Sequence, residues 1–473
     1  MTDQIAPHYD VVVVGGGPAG LAAATLTARA GLKTALFDEQ PGPGGQIYRA
    51  ITQTPLQSRS VLGGDYWRGQ ILVDDFLASK AAYVPNTTVW SVSRNREIGV
   101  SSAGKARMVT AQRIILATGA QERPFPVPGW TLPGVMTAGA AQILLKSFGL
   151  APQRPVVLAG CGPLLWLLAW QMQNAGAVVD AILDTTPRAN WMRALPHLPA
   201  FLTSPYFLKG LKLMLGVRRR VRVISEVVDL AAEGDGRVEA VTYSTASGRI
   251  ARLPAETLLL HQGVTPNVNL AMSIGIPHRW SDEQACWEPE LDADGNTAIE
   301  GIMIAGDGGG IIGARAAEER GRLAALGTIR ALKGQTAAAG AGDAELIRHR
   351  LRRQISGRAF LDRLYRPAAQ FRRPRGDTIV CRCEEVTARQ VMTTAALGCT
   401  GPNQMKAFSR CGMGPCQGRL CGLTVTELLA EAHGITPERV GYYRLRAPIK
   451  PITLGELAQL PTDDAAMKAV IRT

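Results

Sequence analysis

No stretch of this chain is apolar for long enough to cross a bilayer. The longest aliphatic cluster, PLLWLLAWQM at 163–172, falls well short of the about 20 residues a spanning helix needs, and reads as a buried helix. The opening residues, MTDQIAPHYD, carry no basic patch and no apolar run of the kind that directs secretion, so a soluble, cytoplasmic protein is expected. The net charge of +13 comes without a helix-turn-helix, zinc-finger or RNA-recognition signature. That argues against a nucleic-acid partner and for a solvated basic surface. Cysteine is sparse for most of the length. Only Cys161 and Cys286 precede residue 381, and isolated thiols of this kind read as small packing residues. No CxxC pair lies near either of the chain's two nucleotide motifs, which excludes disulfide exchange by paired thiols.

What is present begins at residues 9–39, YDVVVVGGGPAGLAAATLTARAGLKTALFDE. A buried strand runs into Gly15, Gly17 and Gly20, with Pro18 and Ala19 opening an alanine-rich helix; a second strand ends at Asp38 and Glu39. Gly15 permits the tight turn, Gly17 lets backbone approach a pyrophosphate, and Gly20 lets helix pack on strand. The helix N-terminus faces the phosphates, and Asp38, with Glu39 as second choice, is placed to bind ribose hydroxyls. Three later pieces fit the same ligand: the GPGGQIYR loop at 42–49 with Gly45 and Gln46, the RIILATGA strand end with Thr118 and Gly119, and GIMIAGDGGG with Gly306 and Asp307. An acid at the last of these can bind a polyol, and the helix after it can stabilise negative charge on a reduced flavin.

The order GxGxxG, acid, GG, ATG, GD resembles the two-dinucleotide-binding-domain flavoprotein superfamily. The resemblance implies an α/β fold of two nested, glutathione-reductase-like Rossmann domains, FAD in the first, and Asp307 on the ribityl chain. Residues 156–184 repeat the pattern as VVLAGCGPLLWLLAWQMQNAGAVVDAILD, but the third fingerprint position is Leu165 where glycine or alanine is standard. Leucine there must push the helix off the strand or be packed by compensating residues. Asp184 remains available for a ribose, yet a vestigial domain without NAD(P) is the expectation. GVTPN at 263–267 resembles the return of the chain from this domain.

Two basic stretches stay open. The arginine-rich 344–376 reads either as a solvated linker or as an arm for a partner or lipid surface, and SPYFLKGLKLMLGVRRRVRV at 204–223 as a packed amphipathic helix or a contact between subunits. Peripheral attachment at the inner face of the cell membrane is one consequence of the latter readings. His261, a lone histidine in LLLHQGVTPN, reads as packed rather than catalytic.

Six of the eight cysteines crowd into 381–421. Cys381 and Cys383 end a short strand; helices follow at 388–397 and 402–409, then the glycine loop RCGMGPCQGRLC and a third helix. A module of about sixty residues needs more than its core to be stable. Zinc takes four thiolates but mostly from CxxC knuckles. A [2Fe-2S] cluster suits a CxC pair and an amide-rich loop better. CxCE followed by GMGPCQGxxC resembles the bacterioferritin-associated-ferredoxin-like [2Fe-2S] domain. That resemblance implies Cys381, Cys383, Cys416 and Cys421 as ligands, with 32 residues between Cys383 and Cys416. It leaves Cys399 and Cys411 outside the set.

With the tail GYYRLRAPIKPITLGELA and the SPYFLKGLKL segment included, nearly the whole chain is similar to the A-type subunits of opine oxidases and hydrogen cyanide synthases, whose relatives serve D-hydroxyproline, proline and sarcosine dehydrogenases. The expected organisation is 1–125 with 290–334 as the FAD domain, 126–289 as the second nucleotide domain, 335–378 as a basic linker, 379–440 as the [2Fe-2S] module and 441–473 as a tail. The resemblance implies the electron-transfer subunit of a hetero-oligomeric dehydrogenase for an amine, imino acid or opine. A catalytic flavoprotein β subunit handles substrate, an FMN at the interface between subunits is admitted, and electrons leave through flavin and [2Fe-2S] to a respiratory or other acceptor. In some relatives the first site holds another adenine nucleotide. Two competitors differ in class: a self-sufficient NAD(P)H-dependent FAD/[2Fe-2S] oxidoreductase, and an iron–sulfur sensor or scaffold with vestigial nucleotide sites.

Overall fold

The computed structural model describes residues 5–461; the first four residues of the opening decapeptide and residues 462–473 of the tail lie outside the described residues. Val11, Val12, Val13 and Val14 are all buried, as befits a parallel strand covered on both faces. That strand, His8–Val14, is the centre of a seven-stranded sheet. Thr34–Phe37 and then Ala82–Val84 lie on one side, and Lys105–Leu116 on the other. The last half of Lys105–Leu116 also pairs in parallel with Ile302–Ile304, while its first half turns antiparallel against Glu97–Ser102. The register sets Val14 level with Phe37 and with Leu116, and Leu116 level with Ile304. Gly15, Asp38, Thr118 and Asp307 therefore emerge from one rim, although 292 positions separate the first from the last in sequence.

Helices Pro18–Arg29 and Ala314–Lys333 cover one face of this sheet. They approach so closely that a side chain at Gly321 would drive into the carbonyl of Ala19.

The second unit is an all-parallel five-stranded sheet in the order Arg222–Ile224, Ala181–Asp184, Val156–Cys161, Thr257–Gln262, Val135–Thr137. A three-stranded antiparallel sheet, Val227–Glu233, Ala240–Thr245 and Ile250–Pro254, packs against it. The outgoing strand Ala120–Glu122 and the returning strand Val264–Pro266 pair antiparallel and form the joint between the units. The chain rejoins the first unit there rather than at residue 290. Leu270, Ala271 and Ile274 of the short helix Asn269–Ile274 bury in the first core beside Val92 and Ile302, so apolar packing draws the boundary earlier. Leu165 does not stand exposed: it is fully buried among Trp166, Leu168, Met172, Ile182 and Leu259. Compensating packing is the outcome.

Of the two open basic stretches, 344–376 folds back as helices Ala344–Ile355 and Arg358–Leu364, whose Phe360, Leu361 and Leu364 pack on Ala194 of the second unit. The helix Phe207–Arg218 buries Val217 but leaves Leu208, Leu211 and Leu215 exposed on its outer side. No helix of the described residues is long and apolar enough to cross a membrane. The cysteine module holds helices Ala388–Ala396, Pro402–Ser409 and Gly422–His433. The first is opened by a reciprocal capping box between Thr387 and Gln390, and the last closed by Gly434 in the left-handed region.

Candidate functional site

The first cradle gathers at the rim of the seven-stranded sheet. Gly45, itself at φ +61°, lies so near the fingerprint turn that a Cβ on it would stand 2.7 Å from Gly17 Cα. Two glycine-rich loops thus face each other with only backbone between them, as a bound pyrophosphate requires. Asp38 is buried, which raises its carboxyl above the usual range, and it accepts hydrogen bonds from the N–H groups of Gly16 at 2.5 Å and Gln40 at 2.8 Å. Asp307 Oδ1 accepts from Ile312 and Gly313 at 2.9 and 3.0 Å, just ahead of helix Ala314–Lys333. Thr118 and Gly119 stand beside Gly308, and Thr118 Oγ1 donates to Asn267 O at 3.2 Å. Gly20, in the first helix turn, packs against the fingerprint turn, where a Cβ would drive into Gly15 O, and a Cβ on Gly306 would lie 2.7 Å from that of Ala19. Pro18 occupies the first helical position after Gly17. These residues form one small-residue-lined rim that fits a dinucleotide.

Two sequence candidates stand apart from the rest. Glu39 is exposed and holds Lys450 of the tail at 2.8 Å, leaving Asp38 as the inward acid of the pair. The side chain of Gln46 is exposed, and its carbonyl is instead taken by Lys146.

Lys146 is a functional-site residue that sequence reasoning missed. It is 1% exposed and donates to the carbonyls of Gln46 and Ile47 and to Gln142 Oε1, at 2.8 to 3.1 Å. Gln142 in turn donates to Gln171, which donates to Leu62 O, so one buried relay ties the glycine loop to the second unit. None of the three acceptors of Lys146 carries a charge, and burial pulls the amine down to about 7. The unfolded lysine keeps its proton to about 10.5. Between those values the unfolded chain binds more protons, so this group adds stability as pH rises from 7 toward 10 and withdraws it as pH falls. Denaturant unfolding at pH 7 and pH 9 is expected to show wild type gaining about 1 kcal/mol per pH unit relative to Lys146→Met. Parallel pH profiles for the two proteins would contradict it.

His261 is buried, and its Nδ1 lies 2.5 Å from Glu122 Oε1 while the other carboxylate oxygen accepts the N–H of Gly139 at 2.9 Å. The pair clamps the joint strand to the start of helix Ala138–Phe148. In the second unit, Gly160, Cys161, Asp184 and Gln262 reach the carboxyl ends of their strands in register. There the folded-back 344–376 segment lies over them. Cys161 Sγ contacts Tyr365 O at 3.5 Å, and Asn190 Nδ2 donates to the carbonyls of Leu364 and Arg366 at 3.0 and 2.8 Å. Cys161 and Cys286 are packing thiols, both buried and both pushed up to about 12 by that burial.

Five thiols of the cysteine module fall into a buried trio and an outer pair. Cys381, Cys411 and Cys421 are buried with their Sγ atoms all within 4.8 Å of one another. Cys383 is exposed and Cys416 half-buried, and these two are hydrogen-bonded. Backbone N–H groups of Gly412 and Glu384 point at Cys381, and that of Cys416 at Cys383. Hydrogen bonds from Cys411 and then Cys421 pull Cys381 down to about 2, the environment of a ready thiolate. Cys411, outside the sequence pattern, is thus inside the buried trio, while Cys399 is a separate buried thiol on Gly401 O. The glycine loop docks on the joint between the units: Gln121 Nε2 donates to Arg419 O at 3.1 Å and Asn269 Nδ2 to Gln417 O at 3.0 Å. Gln121 and Asn269 each lie two residues from the Gly119–Asn267 backbone hydrogen bond at the cradle rim. The thiols and amide donors fit a [2Fe-2S] cluster, and the rim fits FAD.

Two nested nucleotide units with a cysteine module at their joint define a flavoprotein-type oxidoreductase. Comparison with known proteins agrees. Residues 9–321 match the pyridine nucleotide-disulphide oxidoreductase family, and residues 375–460 the sarcosine oxidase A3 domain. The A subunit of opine oxidase from Rhizobium meliloti is 50% identical over 471 residues, covering 98% of this chain and 89% of that one. The HcnB subunit of hydrogen cyanide synthase from Pseudomonas aeruginosa is 33% identical over 96% of this chain and 99% of its own. L-proline dehydrogenase from P. horikoshii shares the fold, with a TM-score of 0.71 at 19% identity over 95% of this chain and 79% of that one. The chain belongs to the pyridine nucleotide-disulphide oxidoreductase family and, within it, to the group of opine oxidase A and hydrogen cyanide synthase B subunits.

Proposed function

We propose that this chain is the electron-handling subunit of a heteromeric dehydrogenase whose partner, a flavoprotein β subunit, oxidises the carbon–nitrogen bond of an amine, imino acid or opine. The observation that carries this reading is the docking of the cysteine loop, through Arg419 and Gln417, onto Gln121 and Asn269 beside the cradle rim. FAD would be held by Gly15, Gly17, Gly20, Asp38, Gly45, Thr118, Gly119, Gly306 and Asp307, and a [2Fe-2S] cluster by Cys381, Cys383, Cys416 and Cys421. FAD takes electrons in pairs and a [2Fe-2S] cluster carries them singly, the conversion that a one-electron acceptor needs. The chain's own part is to hold the two sites in fixed relation and to keep the buried thiols dry. Names of relatives, opine oxidase and sarcosine oxidase among them, support the substrate class. Co-expression with a β subunit is expected to give amine-dependent dye reduction, with none from this chain alone. Full activity from this chain alone would overturn the division of labour.

The segment over the second unit disfavours the NAD(P)H-dependent alternative. With NADH at about 1 mM, the upper end of ordinary Michaelis constants, the flavin absorbance of the purified complex is expected to persist. Bleaching within a turnover time would restore that alternative.

A further inference from the structure

We propose that Cys411 is an interchangeable ligand at the buried end of the cysteine site, so that five thiols serve four ligand positions. The proposal rests on the [2Fe-2S] reading of that site. Four thiolates complete such a cluster, two on each iron. The exposed side offers one pair, Cys383 and Cys416, in mutual hydrogen-bond contact. The buried side offers three, Cys381, Cys411 and Cys421, mutually within 4.8 Å. A tetrahedral metal with bonds of about 2.3 Å to sulfur places two of its thiolates about 3.8 Å apart. Any two of the buried three therefore reach one metal with adjustments of an ångström or less.

Within that trio Cys381 is the fixed member, because the amides of Gly412 and Glu384 converge on its sulfur. Cys411 and Cys421 compete for the remaining place. Both are fully buried. Both face the same hydroxyl: Tyr443 Oη stands 3.5 Å from Cys411 Sγ and 3.6 Å from Cys421 Sγ. Whichever thiol is displaced finds the same hydrogen-bond partner, so neither arrangement strands a buried polar group. On ligation the incoming thiol gives up its proton and the outgoing thiolate takes one, so the exchange is proton-neutral. Cys399 is the internal contrast. It is equally buried in the module, but its sulfur donates to Gly401 O and belongs to no thiol group. Cys411 sits between Arg410 at φ +59° and Gly412 at φ +88°, on a turn, whereas Cys421 caps helix Gly422–His433. The two routes deliver different backbone to the same place.

The test measures iron, acid-labile sulfide and flavin per chain in the full-length protein purified without oxygen, as wild type and as Cys411→Ala, Cys421→Ala, the double variant and Cys399→Ala. Alanine is chosen because serine can itself ligate iron. Each single variant is expected to keep more than about four-fifths of the wild-type iron and sulfide, the double variant less than about one-fifth, and Cys399→Ala all of it. Flavin content reports folding. Cys421→Ala as empty as the double variant would overturn the proposal, and so would a double variant that stays loaded. A second readout needs only wild type and Cys411→Ala. Electron paramagnetic resonance of the reduced wild type is expected to show two overlapping signals, of which Cys411→Ala keeps one. A single signal unchanged by Cys411→Ala would overturn the proposal even if Cys421→Ala failed to fold. Wild type holding zinc and no sulfide would overturn the [2Fe-2S] reading beneath it, an outcome distinct from loaded wild type with an empty Cys421→Ala.

Discussion

Leu165→Gly, the substitution that restores the standard dinucleotide fingerprint in the second unit, is expected to destabilise the protein by about 3–6 kcal/mol and to gain no NADH binding. Both halves follow from the same packing. Leu165 is fully buried and touches apolar neighbours on its own helix and on the strands beneath it. Deleting a buried leucine to alanine costs about 2–5 kcal/mol, and glycine inside a helix adds about 1 kcal/mol. The glycine would let a pyrophosphate approach only if the strand ends were open. Instead the backbone of 364–366 lies across them, held by Cys161 and Asn190. Denaturant unfolding measures the first half and NADH fluorescence titration the second. Saturable NADH binding by this variant would mean that the leucine alone, and not the folded-back segment, closes the site.

The second large effect is expected at the seam between that segment and the cysteine module. Arg372 forms a buried ion pair with Glu427 of helix Gly422–His433; the side chains are 8% and 5% exposed. Burial and the neighbouring guanidiniums of Arg366, Arg123 and Arg373 pull Arg372 down to about 9, and Glu427 is the carboxylate paired with it in the seam. Glu427→Ala should cost about 3–5 kcal/mol, because it leaves an uncompensated charge in the seam. Replacing both partners, Arg372→Met with Glu427→Leu, should recover most of the loss, since the pair itself repays its desolvation poorly. Hydrogen exchange would localise the Glu427→Ala effect to 422–433. A double variant as unstable as the single would show that the pair, and not the stranded charge, carries the stability.

The parts of the molecule that could be read from the sequence are those whose chemistry is local. The fingerprint at Gly15–Gly20 and the acid at Asp38 are short-range patterns, and the module's helices begin and end at caps that sequence displays. The parts that escaped depend on which surfaces meet. The return to the first unit near residue 266 is set by which core accepts Leu270 and Ile274. Lys146 looks like an ordinary helical lysine; its three acceptors come partly from a loop 100 positions away. Cys411 falls outside the expected spacing because a spacing pattern counts residues along the chain, whereas the trio is assembled by a turn and a helix start. Glu39 and Asp38 are adjacent in sequence, and only the alternation of a strand end decides that one faces the cradle and the other the tail.

Besides the Arg372–Glu427 seam, the cysteine module is held at its entrance, its middle and its exit. Trp130 Nε1 grips Ile379 O where the chain enters, the glycine loop bonds to Gln121 and Asn269, and beyond it Ile449 buries in the first core while Lys450 reaches Glu39. A carrier domain that must detach, rotate and redock spends part of every cycle in diffusion, and thickening the solvent slows it. A module pinned at entrance, middle and exit tumbles with the body it is attached to, and solvent friction has no swinging arm to act upon.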